Sequence, residues 1–250
     1  MNTTNPGQCL SAGARFATFL GSIGASSESV VSFIKDGNHP FYAMITEQFG
    51  LKPAVNLPVS SEVTKTLESW KVFYQKFFGI ELDSSALRIP EKVEGLDRLI
   101  VIAKGLRLNQ VWNVHEEREI PRWQWWNGSL ERAMQESERG LVKQAYAIWV
   151  RDVQEAIDVD EELLKELPAE TIADRKIDTE NLLERLVHGL KFFDETGKHL
   201  DVKGVTLCAS SRYSGGDVPY VDRDDDGSVG VDGYGVQNSY PRLRARRAVR

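Results

Sequence analysis

Helical periodicity dominates the first ninety residues of the chain. The segment that begins at Ser60 or Ser61 offers an N-cap followed by apolar residues at helical spacing, and Gly79 stops it. A shorter segment, residues 40–49, places its apolar side chains on one stripe. We therefore predict that residues 1–90 form a small, mainly helical N-terminal region. The apolar positions of the longer helix are Val63, Leu67, Trp70, Phe73 or Tyr74, and Phe77.

Short apolar runs alternate with helical segments from residue 91 onwards. A helix is predicted from an N-cap at Asn109 to the residue before Pro121. Two further helices are predicted between residues 159 and 196, and Thr179 is the predicted cap of the second. Three runs are predicted strands, of which the first and the last have the composition of buried strands and the second alternates, and their alternation with helices predicts an α+β fold. These runs are residues 99–103, 145–151 and 205–210.

Three tryptophans, Trp123, Trp125 and Trp126, crowd together after Pro121. Such a cluster forms either an exposed platform for a carbohydrate or the closing edge of a hydrophobic core, and the second arrangement is the commoner one. We therefore predict that the three indoles close a core edge.

The composition changes after Ser210. Four of the seven tyrosines lie in the last forty residues, among many Gly, Ser and Asp residues. This mixture is typical of recognition surfaces, because Tyr supplies a large amphipathic contact at low entropic cost and the small residues adapt to the partner. Ordinary hairpin-rich surface has a similar composition, so this observation leaves both interpretations open.

Apolar residues recur regularly within this tail, and the residues between them are an irregular polar mixture. The sequence DDG at 225–227 is a type I′ turn signal, so the segments PYVDRD and SVGVDGY are predicted to pair as a β-hairpin. The closing LRARRAV is predicted to form a last strand whose arginines share a face and hold acidic neighbours or, as the less favoured alternative, bind phosphate. The apolar residues of the hairpin are Val218, Val221, Val229 and Val231.

The segments TLCASSRYSGGDVPYV and VDGYGVQNSYPRLRARRAV resemble the variable region of proteins that are diversified by retroelements. The resemblance covers about residues 95–250. It implies a C-type lectin-like ligand-binding domain over residues 91–250 with a variable tail at about 211–250. The chain departs from the family at Arg223 and Gly233, where the family tends to hold tryptophans.

The resemblance also divides the tail into framework and ligand-facing residues. The implied framework is Ser211, Arg212, Val218, Pro219, Val221, Val231, Leu243, Arg244, Ala245, Arg246 and Val249. The implied ligand-binding residues are Tyr220, Asp222, Asp224, Ser228, Gly230, Asp232, Tyr234, Gln237, Asn238, Tyr240 and Arg242. Aromatic anchors usually carry most of the binding energy, so Tyr220, Tyr234 and Tyr240 are the expected hot spots, and their loss should leave stability unchanged.

An Asp-rich turn supports an alternative. Asp222, Asp224, Asp226 and Gly227 match the first half of an EF-hand calcium loop, but Gly233 occupies the twelfth position, where a bidentate Glu belongs. The alternative function is therefore a calcium-dependent binding protein or a hydrolase that uses this hairpin. The primary prediction is a non-catalytic recognition protein without a metal or other cofactor.

Charge and motifs exclude several function classes. The formal net charge of −6 argues against a nucleic-acid binder. No apolar run is long enough for a membrane span, and no typical signal peptide is present, so the compartment stays unassigned with the cytoplasm as the default. Cys9 and Cys208 provide neither a disulfide framework nor a zinc site, and no common catalytic motif occurs. The predicted partner is an unidentified protein or surface ligand, and the oligomeric state is unassigned.

Overall fold

The structure is a computed structural model that describes residues 61–85, 87–125, 127–156, 164–224 and 227–250. The chain divides into two compact units, Met1–Thr64 and Lys65–Arg250. Helices and two β-sheets make up the described part, so the predicted α+β class is confirmed. The helix predicted at residues 40–49 lies outside the described residues, and the domain boundary near residue 90 stays a prediction.

Three of the five helices in the described part lie where the apolar periodicity predicts them, and the two shortest were not predicted. Their bounds are α1 Ser61–Phe78, α2 Leu108–Glu117, α3 Leu130–Ala133, α4 Ala169–Asp174 and α5 Leu182–Thr196, with a 3₁₀ turn at Glu136–Glu138. Helix α1 ends at Gly79 as predicted, where the backbone turns to a φ of +63°. Gly197 ends α5 in the same left-handed conformation, with a φ of +68°.

Two predicted N-caps are wrong. Helix α5 is capped by Asn181, whose side chain accepts a hydrogen bond from the Glu184 backbone N–H at 2.9 Å, while the predicted cap Thr179 contacts the Ser210 hydroxyl at 3.0 Å. Helix α2 is preceded by Arg107, because the amide of the predicted cap Asn109 is used to bind the start of α3 instead. Both predicted caps therefore serve tertiary contacts rather than their own helices.

Eight strands form two sheets in the described part of the chain. Their bounds are β1 Arg98–Ile102, β2 Arg122–Gln124, β3 Tyr146–Val150, β4 Val205–Leu207, β5 Val218–Arg223, β6 Val229–Tyr234, β7 Leu243–Arg244 and β8 Ala248–Val249. The smaller sheet has the order β1-β3-β8 and is antiparallel, and the larger has the order β2-β6-β5-β4-β7. In the larger sheet, β2 is parallel to β6 and β4 to β7, and the other pairs are antiparallel.

The predicted β-hairpin is confirmed as β5 and β6, which pair from Val218 with Tyr234 to Arg223 with Val229. Residues 225–226 of the predicted turn lie outside the described residues. The single last strand predicted for LRARRAV is wrong, because this segment divides into β7 in the larger sheet and β8 in the smaller one. The C-terminal segment thus passes from one sheet to the other.

Helix α1 covers the outer edge of the smaller sheet. The Trp70 indole donates to the Leu99 carbonyl at 3.1 Å, and the Tyr74 hydroxyl donates to the Val101 carbonyl at 2.6 Å. The same hydroxyl accepts a hydrogen bond from the Ala103 N–H at 3.2 Å. These bonds satisfy backbone groups of β1 that an open sheet edge would leave unpaired.

A buried ionic group joins α5, the larger sheet and the C-terminal segment. The Asp201 carboxylate accepts hydrogen bonds from Arg185 and Arg246, each at 2.7 Å, and from the Thr206 hydroxyl. All four side chains are buried, and we call them the Asp201 cluster. Burial alone would raise the pKa of Asp201, but the two guanidinium groups outweigh it and hold the pKa well below its usual range.

We expect Asp201→Ala to lower the free energy of unfolding by about 3–5 kcal/mol, because it leaves two buried guanidinium groups without a counter-charge. Asp152→Ala is the matched control, since it removes the exposed partner of Arg98 and should cost less than about 1 kcal/mol. Urea unfolding of both variants measures the difference. Equal losses in the two variants would contradict the role of the Asp201 cluster.

Candidate functional site

Four of the predicted ligand-binding residues share one face of the β-hairpin. Residues that pair directly across an antiparallel ladder point to the same side of the sheet. Tyr220 pairs with Asp232, Asp222 with Gly230, and Val218 with Tyr234. The side chains of Tyr220, Asp222, Asp232 and Tyr234 therefore form one surface, which we call the hairpin face.

The opposite side of the hairpin is part of the core. Val221 pairs with Val231, and both side chains are buried. Gly233 pairs with Pro219 and lies against the ring of Tyr213, where a Cβ would come within 3.3 Å of the ring. The predicted framework residues Pro219, Val221 and Val231 thus point to this side, whereas Val218 lies on the side of the hairpin face and is buried there.

Other framework residues are buried in the scaffold. Ser211 accepts a hydrogen bond from the Leu182 N–H at 2.9 Å, at the start of α5. Arg246 belongs to the Asp201 cluster. This arginine therefore has the acidic neighbour that the sequence predicted for the terminal arginines. Arg244 is also buried and donates to the carbonyls of Leu243 and Pro241.

The two tyrosines of the hairpin face are only partly exposed. The Tyr220 hydroxyl donates to Asp232 Oδ2 at 3.1 Å, and the two tyrosine rings meet edge to face with centroids 6.2 Å apart. Both rings pack against the apolar cluster that α4 covers, which includes Ile172 and Val218. This packing leads us to expect that removal of Tyr220 or Tyr234 lowers stability, in contrast to the expectation from the sequence.

Trp123 extends the hairpin face onto the neighbouring strand. It pairs with Gly230 in the parallel β2–β6 ladder, and its ring lies 3.9 Å from the position of a Cβ built on Gly230. Its side chain is 47% exposed and that of Trp125 is 72% exposed, so the prediction that these indoles close a core edge is wrong. Trp126 lies outside the described residues.

Alternation along β2 explains this exposure. Arg122 and Gln124 point to the other side of the strand, where both contact Trp112. The Arg122 guanidinium lies 5.2 Å from the Trp112 ring centroid, and Gln124 accepts a hydrogen bond from the Trp112 indole at 2.7 Å. A polar–aromatic–polar pattern in a strand was therefore the available signal that Trp123 faces away from the core.

Carboxylates give the hairpin face its charge. Burial and the neighbouring charges of Asp224 and Asp232 raise the pKa of Asp222. Among the described residues, no lysine or arginine forms an ion pair with Asp222, Asp224 or Asp232. The charge of Arg242 acts in the opposite direction and lowers the pKa of Asp222.

Gly230 allows the Asp222 carboxylate to lie close to strand β6. A Cβ at Gly230 would lie 2.3 Å from Asp222 Oδ1, so only glycine lets the carboxylate rest against β6 beside Trp123. Gly230 and Ser228 are themselves buried, although the resemblance implied ligand-facing roles for both. Ser228 instead donates to Asp224 Oδ2 at 3.3 Å and extends the ladder toward the turn.

The remaining predicted ligand-binding residues lie on the exposed loop after β6. A turn holds this loop through the Asn238 N–H, which donates to the Gly235 carbonyl at 2.9 Å. Arg242 donates from Nε to the Lys203 carbonyl at 2.7 Å, which fixes the end of the loop. The exposed residues are Gln237, Asn238, Tyr240 and Arg242.

The alternative calcium site rests on a residue that is not described. Asp222 and Asp224 are placed, but Asp226 lies outside the described residues. Within the described ranges, no group of three or more His, Cys, Asp or Glu side chains is arranged to hold a metal ion. The Asp-rich loop therefore stays a prediction from the sequence.

A buried acid–base pair was missed by sequence analysis. Glu180 Oε1 lies 2.7 Å from His188 Nδ1, and both side chains are completely buried. Burial raises the pKa of Glu180 to about 7 and lowers the pKa of His188 well below its usual range. Because solvent does not reach either side chain, we assign the pair to stability rather than to catalysis. Glu180 directly follows the predicted cap Thr179, and only the tertiary structure brings it to His188.

No protein-family model, curated protein or solved structure matches this chain. In the part of the chain that the structure describes, no helix is both long enough and apolar enough to cross a membrane. The functional assignment therefore rests on the residues and their geometry.

The Glu180–His188 pair predicts a specific pH dependence of stability. The pKa of Glu180 is higher in the folded protein than in the unfolded chain. The protein therefore loses stability as the pH rises from the ordinary pKa of a glutamate toward about 7. The lowered pKa of His188 acts in the opposite direction, since stability is lost as the pH falls below about 6.5. The two slopes oppose each other in the wild-type protein.

We expect Glu180→Gln to leave only the contribution of His188 to the pH dependence of the free energy of unfolding. As the pH falls from about 6.5 to about 5, the free energy of unfolding of the variant should decrease relative to the wild type by up to about 1.4 kcal/mol per pH unit. His188→Gln should show the opposite slope, because it leaves Glu180 alone. Urea unfolding at several pH values measures both, and pH profiles parallel to the wild type would contradict the coupling.

The hairpin face and its loop should differ in their tolerance of truncation. Tyr220→Ala is expected to lower the free energy of unfolding by about 1–3 kcal/mol, because it removes packing and the hydroxyl bond to Asp232. Tyr240→Ala should change it by less than about 0.5 kcal/mol, because this ring is 48% exposed. Thermal unfolding compares the two variants. An unchanged stability of Tyr220→Ala would contradict the packing described above.

Proposed function

We propose that this chain is a non-catalytic recognition protein that displays a diversified surface on a C-type lectin-like domain. The observation that carries the proposal is the division of the hairpin into two sides. The framework residues Val221 and Val231 are buried on one side, and implied variable residues occupy the other. A scaffold with this division tolerates changes on the hairpin face while its core stays constant.

The rest of the tail supports the same proposal. The loop after β6 presents Gln237, Asn238, Tyr240 and Arg242 to solvent near the end of the hairpin that carries Tyr234. Its ends are fixed by backbone contacts, so the loop offers side chains for binding from an ordered base. Tyr240 is the one hot-spot candidate that combines large exposure with an aromatic ring.

Trp123 adds a fixed aromatic ring to this surface. It belongs to β2, outside the tail that the resemblance marks as variable, and its ring lies next to Gly230. A constant aromatic contact beside variable positions suits a protein that binds different partners through one face, because the indole contributes apolar area to each of them. The ligand is an unidentified protein or surface component.

The gene locus tests this proposal directly. We expect a second, near-identical copy of the codons for about residues 215–250 close to the gene, together with a reading frame for a reverse transcriptase. The two copies should differ only where one of them has adenines. Differences that fall in codons for Asp222 and Asp232 but spare those for Val221 and Val231 would support the hairpin face as the variable surface. The lack of a second copy would overturn diversification by a retroelement.

A further inference from the structure

We propose that the hairpin face binds a lysine- or arginine-rich segment of a partner protein, with a basic side chain placed between the Trp123 ring and the carboxylates of Asp222 and Asp232. This inference rests on the proposed function, because it names the chemistry of the partner for the same face.

The first argument is unbalanced charge. Asp222, Asp224 and Asp232 lie close enough that the two neighbours disfavour the charged form of Asp222. No lysine or arginine of the described residues pairs with any of the three. A cation from a partner would relieve this repulsion, and a phosphate or an acidic segment would add to it.

The second argument is the placement of the aromatic ring. Trp123 is nearly half exposed, and Gly230 lies between it and the Asp222 carboxylate. Because Gly230 carries no side chain, the Asp222 carboxylate rests above β6 next to the indole, and the two groups are neighbours on this surface. A guanidinium or ammonium group there would contact the π-face of the indole and pair with the carboxylate at once.

The third argument is that the carboxylates are already oriented. Asp232 accepts hydrogen bonds from the Tyr220 hydroxyl at 3.1 Å and from the Gly233 N–H at 2.6 Å, which fix its position. Asp222 is held between the two strands by its contact with Gly230. Oriented acceptors lose little conformational freedom when a partner binds.

The shape and sign of the face favour a segment of another protein over other occupants. A symmetric contact with a second copy of this chain would bring the same carboxylates together, which like-charge repulsion opposes. The Trp123, Asp222 and Asp232 side chains lie on the surface of a strand ladder rather than in a closed cavity, so a peptide chain can contact the indole and both carboxylates together. The net charge of −6 also attracts basic partners from a distance.

A labelled hexa-arginine peptide tests the charge argument by fluorescence anisotropy with the full chain. We expect the double variant D222N/D232N to bind it about fivefold to tenfold more weakly than the wild type, since two oriented carboxylates lose their charge. The matched control is E91Q/E94Q, which removes the same charge from exposed glutamates elsewhere, and its affinity should change less than about twofold. Equal weakening of both double variants would overturn the proposal.

The Trp123 ring is tested with the same peptide. We expect Trp123→Ala to weaken binding about twofold to fivefold, and Trp123→Phe to recover part of the loss, because phenylalanine keeps a smaller π-face. Thermal unfolding of each variant confirms that it is folded. Unchanged affinity in Trp123→Ala would overturn the placement of the basic side chain beside the indole.

A selection from a random peptide library separates this inference from the proposed function. The full chain is the bait, and D222N/D232N is used for counter-selection. Enriched peptides that are rich in lysine and arginine support the inference. Enriched peptides without basic residues that require Trp123 or Tyr240 would keep the proposed function and overturn the basic partner. Enrichment that is independent of the hairpin face and its loop would overturn both.

Discussion

The Asp201 carboxylate lies where helix α5, strand β4 and the C-terminal segment meet, and its charge is balanced only when all three are in place. Arg185 comes from α5, Thr206 from β4 and Arg246 from the connection between β7 and β8. An uncompensated charge is expensive in a protein interior, so each partner depends on the others. The Asp201 backbone has a φ of +55°, which aspartate tolerates better than most residues. This one carboxylate therefore determines how the C-terminal segment passes from the larger sheet to the smaller one.

The course of the C-terminal segment from β7 to β8 buries one side of the larger sheet. Thr206 pairs with Val221, so the Asp201 cluster and the buried valines share one side of the sheet. The opposite side is covered by α4 near β4 and β7, where Ile172 packs. Helix α4 has only six residues and leaves the β6 and β2 end of the sheet uncovered, where Trp123 is exposed. Among the described residues, α4 thus covers the Tyr220 and Tyr234 end of the hairpin face and leaves the part beside Trp123 open.

Local sequence patterns predicted helix α1, strands β1 and β3 and the hairpin, because glycine stops and apolar spacing act over a few residues. Such local patterns could not predict which of two nearby residues takes a given role, such as the cap of a helix. Asn181 rather than Thr179 caps α5, because Thr179 is used in a contact with Ser210 from a distant part of the chain. The partners of Asp201 lie up to 45 residues away, so a single sequence contains no sign of their convergence. Trp123 was misplaced because an aromatic cluster has the same composition in a core and on a surface.

The separation of the two sides of the hairpin has a consequence for how the surface can change. Replacements at Asp222 or Asp232 alter charge on the hairpin face, whereas the Asp201 cluster lies on the other side of the same sheet. Contributions from sites without shared partners add nearly independently to stability. Tyr220 and Tyr234 are the exceptions, because they touch both the face and the core beneath α4. We therefore infer that the carboxylate positions are freer to vary than the two tyrosines, and that aromatic residues are retained at Tyr220 and Tyr234 while their neighbours exchange.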